Sequence, residues 1–331
     1  MTGAIVRDRA ITDGRNGHGP VLEPQVQLFI DAISRRPRLS ERGLLAARRF
    51  VEAAQHVERA RPGVEVRDIE IPGGPSRSVW ARVLRPSGVI GALPVIVYMH
   101  GGGWVLGSVR THDRLLRDIA VETGAMVIAP IYTRSPEARY PTALEECYAV
   151  VTHLAGAPRG LGVDRSRIAV AGDGAGGNLA AALALLAKQR RGPKLAAQLL
   201  LCPWVDRHAG AASSSERPDG GFPRPEELDW CWRQYATTPA HSRAVTASPA
   251  RASAEQLAGL PRALVITADV DVTRGAAETY ARRMRAAGVS VLAVRYDGTI
   301  HDFVVINEMC ATNAANAALA QAISFLRSAL R

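Results

Sequence analysis

The stretch Val170-Ala171-Gly172-Asp173-Gly174-Ala175-Gly176-Gly177-Asn178-Leu179-Ala180 constrains the fold more than any other part of the chain. A short apolar run, residues 168–171, enters it. An Ala/Leu-rich run of helical character leaves it. The order of an apolar run, a glycine-rich turn with glycines at 172, 174, 176 and 177, and an Ala/Leu run reads as strand, elbow and helix.

The rest of the chain supplies the sheet for that turn. Residues 64–71 and 79–84 are β-like runs around Pro72-Gly73-Gly74-Pro75, a hairpin signal. Residues 93–99 form a continuous apolar run of the kind buried on both faces of a sheet, 126–131 is another buried run and 199–205 is apolar again; 168–171, 263–268 and 289–296 also read as strands. Helical stretches lie between them, at about 111–121, 141–154 and 275–287, and from the elbow onward. A last one runs from about 313 to 330. Two helical stripes, 22–33 and 44–57, precede the first strand and read as a lid. Residues 1–20 lack periodicity and read as a mobile arm. Residues 206–225 are polar and rich in Gly, Ser and Pro. They open an insertion, about 206–245, that carries Trp230, Trp232 and Tyr235. The expected class is α/β, a mostly parallel eight-stranded sheet with helices on both faces and a helical cap. The expected division is an N-terminal arm and cap helices over 1–60, and a core over 61–331.

Composition narrows the partners. The net charge is +10, and all of the 41 basic residues except Lys188 and Lys194 are arginine. Basic and acidic residues are interspersed, without a Lys/Arg tract of five. That favours a solvated surface over nucleic acid. No apolar run approaches the roughly 20 residues of a membrane span. The first twenty residues lack a secretory apolar core. Cys147, Cys202, Cys231 and Cys310 are far apart and read as reduced thiols of a cytoplasmic protein. No cofactor or metal is expected, and a homodimer is left open.

Four motifs in order, beside the elbow itself, carry a resemblance. His100-Gly101-Gly102-Gly103-Trp104 is similar to the H-G-G-G motif of α/β hydrolases related to hormone-sensitive lipase and bacterial acetyl esterases. The elbow resembles their nucleophile turn, G-x-S-x-G, and Ser135 to Pro141 resembles their loop after the fourth strand. Thr267-Ala268-Asp269-Val270-Asp271 and Gly298-Thr299-Ile300-His301-Asp302-Phe303 resemble their acid and histidine turns. The resemblance spans about residue 22 to the end and implies the α/β-hydrolase fold. It implies that His301 pairs with Asp271, which fixes its tautomer. It implies an oxyanion hole from the amides of Gly101, Gly102 and Ala175. His100 is expected to hold the glycine loop. Asp269 and Asp302 are neighbouring carboxylates that compete for the acid assignment. Trp104, Trp204, Trp230 and Trp232 suit a flat or bulky apolar substrate.

The chain departs from the pattern at the elbow, where Gly174 stands in the place of the nucleophilic serine. It departs also at Ile131 and Thr133, where many relatives carry an acid and an arginine. Loss of such a nucleophile costs on the order of 10⁶ in turnover and leaves roughly 10³–10⁴ over water. An efficient serine esterase is therefore excluded. The preferred expectation is a non-hydrolytic enzyme acting on an apolar or aromatic carbonyl or quinone compound. It would use the oxyanion hole and the His–Asp pair for proton transfer, elimination, cyclisation or C–C bond formation, by analogy with plant relatives that act as dehydratases and cyclases. The alternatives are a carboxylesterase whose serine was replaced, and a ligand-binding protein without catalysis. Gly172, Gly174 and Gly177 also satisfy G-x-G-x-x-G, but late in the strand order. No Asp or Glu lies between Gly177 and Val205 to hold a ribose, which argues against a dinucleotide.

Overall fold

A computed structural model describes residues 21–56, 62–207 and 222–331. The expected arm at 1–20 and most of the loop at 206–225 lie outside those residues. Eight strands form one sheet: β1 (Val64–Pro72), β2 (Ser78–Pro86), β3 (Leu93–Met99), β4 (Met126–Pro130), β5 (Val163–Asp173), β6 (Ala197–Leu201), β7 (Arg262–Val270) and β8 (Val291–Ile300). Their order across the sheet is β1-β2-β4-β3-β5-β6-β7-β8. The β1/β2 and β2/β4 pairs are antiparallel and all the others are parallel. The expected eight-stranded, mostly parallel sheet is present.

Helices pack on both faces: α3 (Asp113–Thr123), α4 (Thr142–Ala155), α5 (Gly174–Gln189), α9 (Arg274–Ala286) and α10 (Asn313–Ala329). Each face of the sheet has its own apolar layer. Val95, Val97 and Met99 of β3 point into one, and Ile96 and Tyr98 into the other. This is the alternation of side chains along a strand that is covered twice. Every residue of α5 from Gly174 to Ala187 is buried, so the helix that leaves the elbow belongs to the core.

Five further helices lie around the carboxyl ends of the strands or beside them: α1 (Pro24–Ser34), α2 (Leu44–Ala54), α6 (Pro225–Tyr235), α7 (Pro239–Arg243) and α8 (Ala254–Leu257). The stripe in α1 buries Val26 and Ile30. Glu23, just before α1, accepts the first two amides of α10, from Asn313 and Ala314, at 2.9 Å each. A carboxylate at a helix N-terminus gains from the helix dipole, which ties the start of the described chain to its end. Arg48 of α2 reaches across to Val105 O, Ser135 O and the Glu137 carboxylate.

Candidate active site

The elbow owes its shape to close approach of backbone. A Cβ at Gly176 would run into the carbonyl oxygen of Met99 at the end of β3, and one at Gly172 into that of Gly176. Glycine at both positions lets α5 start directly on β5. Gly174 sits at the apex with φ +49°, in the left-handed region that strains any side chain-bearing residue by about 1–3 kcal/mol. The direction in which a Cβ would project from Gly174 leads to His301 Nε2, 3.2 Å away.

His301 follows β8 and is buried. Its Nδ1 lies 2.7 Å from Oδ2 of Asp271, which follows β7. The other Asp271 oxygen accepts the amide and the hydroxyl of Thr273, at 2.7 and 2.8 Å. This holds the carboxylate in the plane that orients the imidazole, as in hydrolytic triads. Asp269, the competing acid, turns away to Arg274 at 2.9 Å. The expected pairing of His301 with Asp271 is what the geometry contains.

His301 Nε2 has a second neighbour, the Trp204 indole N–H, which donates to it at 3.0 Å. Trp204 is fixed in turn, its amide donating to Gly174 O at 3.0 Å and its carbonyl accepting from Asn178 at 2.6 Å. An indole N–H can only donate, so Nε2 carries a lone pair here and the proton is on Nδ1. Opposing forces act on this ring. Burial disfavours the imidazolium, but Asp271 and Asp302 favour it more strongly and raise its pKa to about 9. The cation would have to give up the Trp204 bond and turn Nε2–H toward Asp302 Oδ1, 3.4 Å away. The hydrogen-bond geometry is that of the neutral form.

Beside this pair lies a second carboxylate–histidine pair that the sequence did not reveal. Asp173 accepts the Tyr98 hydroxyl at 2.8 Å and lies 3.2 Å from His112 Nε2. His112 Nε2 also lies 3.3 Å from the Gly101 amide. Nδ1 of His112 faces the Ser108 carbonyl, and so holds a hydrogen. Neutral His112 accepts from Gly101; the cation donates to Asp173. Burial opposes that cation, but Asp173 outweighs it and the His112 pKa rises overall.

The glycine loop therefore differs in detail from expectation. The Gly101 amide is directed at His112. The amides of Gly102, Gly103 and Ala175 have no hydrogen-bond partner among the described residues. Gly103 was missed because amide direction depends on φ, here +96° at Gly102 and +65° at Gly103, which sequence does not display. His100 holds the loop, its Nδ1 2.8 Å from Gly101 O and its ring stacked on Tyr132. Thr133 has both its amide and hydroxyl on Glu146. That departure from the family pattern is therefore absorbed in packing.

A cavity of about 220 Å³ opens above the elbow. Its walls are mostly apolar and come from α1, α2, α6 and the core, with Gly102, Gly103, Asp173, Trp204, His301 and Asp302 at its base. Trp230 also borders it. Trp104 and Trp232 are outside its lining and fully buried: Trp104 stacks on Tyr235 at 4.1 Å and meets Trp232 edge-on at 4.6 Å. For those two, packing between cap and core accounts for the aromatic side chain. Cys202, Asp271 and His301 are the one grouping among the described residues close enough to hold a metal ion, with ligand atoms within 4.8 Å. Asp271 and His301 are already bonded to each other. Burial pushes the Cys202 thiol pKa far up and keeps it protonated. No helix of the described residues is long and apolar enough to cross a membrane.

Comparison with known proteins agrees with this geometry. A family model for the alpha/beta hydrolase fold matches residues 96–305. The chain is 35% identical over 314 residues to the carboxylic ester hydrolase LipN of Mycobacterium tuberculosis, covering 90% of this chain and 81% of that one. It is 30% identical over 288 residues to a putative alpha/beta hydrolase of Acanthamoeba polyphaga mimivirus, covering 87% and 82%. Among solved structures, a thermostable esterase from Pseudomonas putida superposes with a TM-score of 0.91 at 41% identity, over 95% of this chain and 99% of that one.

Proposed function

This chain belongs to the alpha/beta hydrolase fold family, and from that premise we propose that it binds a compact, largely apolar ester and hydrolyses it slowly by direct attack of water, without an acyl-enzyme. One observation carries the reading. The buried His301–Asp271 pair reaches Gly174, a residue with no atom to bond covalently to an acyl group, and His301 shares a cavity lining with Gly102 and Gly103. The family resemblance puts a serine at that position. The esterase relatives favour an ester over the carbonyl and quinone substrates considered for elimination or C–C bond formation. The esterase relatives named above lend those chemistries no support, and the replaced-serine alternative becomes the preferred one.

The geometry supports the following sequence. The ester carbonyl sits against the Gly102, Gly103 and Ala175 amides, the last at the N-terminus of α5, where the helix dipole adds positive potential. A water beside Gly174 loses a proton to a base and its oxygen attacks the acyl carbon. The tetrahedral oxyanion then collapses, and the departing alkoxide takes a proton back. Acid and alcohol leave.

The test is steady-state and stopped-flow release of p-nitrophenol from acetate and butyrate esters, beside a calorimetric titration with a trifluoromethyl ketone, whose hydrate mimics the tetrahedral species. Linear release without a burst is expected, roughly 10³–10⁴ above water and about 10⁶ below a serine-dependent enzyme. Ketone binding with no release above background would leave the ligand-binding reading. A burst would imply a covalent nucleophile and end the proposal.

A further inference from the structure

We propose that the Asp302 carboxylate is the base that takes the proton from the attacking water, with His301 held beside it as a positioning group. The inference rests on the hydrolytic reading above and adds a catalytic residue to it. In the template for such sites the histidine is the base. Here its Nε2 is engaged in either protonation state. Neutral His301 accepts the Trp204 N–H at 3.0 Å, and the imidazolium has no lone pair to offer. The resting geometry thus leaves His301 no free lone pair and turns attention to another base in the same space.

Asp302 fits that requirement on four counts. Its Oδ2 and Oδ1 lie 3.6 and 3.7 Å from the Cβ direction of Gly174, where a water attacking in place of a serine oxygen must stand. Its Oδ1 is buried and takes part in no hydrogen bond, which is costly for a carboxylate oxygen unless it serves a ligand. Its side chain borders the cavity. Its backbone is left-handed, φ +55°, a conformation unusual for a residue with a side chain and concentrated at functional sites. The groups facing it are His301 beside it, Asp173 at the end of β5, His112 before α3, Asp271 after β7, Cys202 after β6 and Tyr98 of β3. Burial pushes the Asp302 carboxyl up to about 7, against the pull of His301 and His112 and with the push of Asp173 and Asp271. A base poised near neutrality suits proton abstraction from water.

The step balances as follows. The O–H bond of water breaks and its proton goes to an Asp302 oxygen. The new C–O bond places the negative charge on the former carbonyl oxygen. On collapse the ester C–O bond breaks, and the alkoxide removes the proton from Asp302, restoring the carboxylate.

Asp302→Asn tests this with p-nitrophenyl acetate. Asparagine tolerates the left-handed backbone and keeps the volume, so the fold is retained, which circular dichroism and a melting curve check. The expected result is a kcat roughly 10²–10³-fold lower with KM within threefold, and loss of the limb of the kcat profile that rises near pH 7. In Asp302→Gly, which suits the same backbone, added formate is expected to restore activity in proportion to its concentration. If wild type hydrolyses the ester and Asp302→Asn keeps its rate and pH profile, Asp302 is not the base and the hydrolytic reading stands. A slow Asp302→Asn with an unchanged pH limb, and no rescue of Asp302→Gly, would assign Asp302 to packing and overturn the proposal. Wild type that binds the trifluoromethyl ketone and releases no product would overturn both readings together.

Discussion

Gly174 offers no nucleophilic side chain and sits at φ +49°, a conformation glycine adopts without strain, and the two effects can be separated. Gly174→Ser is expected to fold, to lose about 1–3 kcal/mol from the left-handed backbone, and to become labelled by a fluorophosphonate probe. The new Cβ would stand 3.2 Å from His301 Nε2, so the ring must yield slightly and exchange Trp204 for the serine hydroxyl. Gly174→Ala should lose similar stability and remain unlabelled. An unlabelled, folded Gly174→Ser would mean that Trp204 does not release the imidazole. Asp302 makes a different prediction, about stability. Its carboxyl is raised from 3.8 to about 7 in the folded protein, so folding takes up a proton between those values. A raised acid stabilises the fold below the lower value and loses that contribution as pH rises through the upper one. Replacement by asparagine removes the loss. The melting temperature of Asp302→Asn relative to wild type should therefore climb between pH 5 and pH 8; a flat difference would refute it. At this scale His301 and Asp271 were legible, because each lies in a motif with a fixed place after a strand. Asp173, His112 and the direction of the Gly101 amide were not. They depend on which loops meet in space, and no spacing records that.

Among the elements, α2 shows how the cap is attached. Arg48 is largely buried and gives the Glu137 carboxylate two hydrogen bonds, at 2.5 and 2.8 Å, holding its pKa down to about 2. It also satisfies the Val105 and Ser135 carbonyls. Arg48→Met would leave two carbonyls without that donor, at a cost of roughly 1–3 kcal/mol. The melting temperature should fall by a few degrees. Amide exchange should accelerate in α1 and α2 while α5 and β3 stay protected. Equal acceleration in α5 would show that the cap and core unfold as one unit. The helical stripes of α1 and α2 were readable because their apolar residues recur on one face. Strand ends were less so. β8 was expected to stop at 296 but continues through Asp297 and Gly298 to Ile300, with a register shift against β7 that brings His301 into the site. Polar residues in a strand end look like a turn when the partner strand is not visible. The four tryptophans expected at the substrate site split for the same reason. Trp204 and Trp230 face the cavity and Trp104 and Trp232 face each other, a difference set by tertiary packing.

Taken whole, the molecule is a doubly covered sheet whose two apolar layers were foreshadowed by its unbroken apolar runs. Its positive charge is carried by arginines, some of which meet nearby acids. Arg82 lies 2.8 Å from Asp68 and Arg295 2.8 Å from Glu278, surface pairs that each contribute little. What the whole fold protects most firmly is the elbow. Its geometry is set by Gly172 and Gly176 against the backbone of β3 and by the burial of α5, and none of these contacts involves a side chain at 174. The consequence is evolutionary. Glycine codons ending in U or C become serine codons by one base change, so a lineage carrying this chain can pass between two chemistries without rebuilding its architecture. Selection then acts on a single codon, while the scaffold that makes either outcome useful is inherited intact.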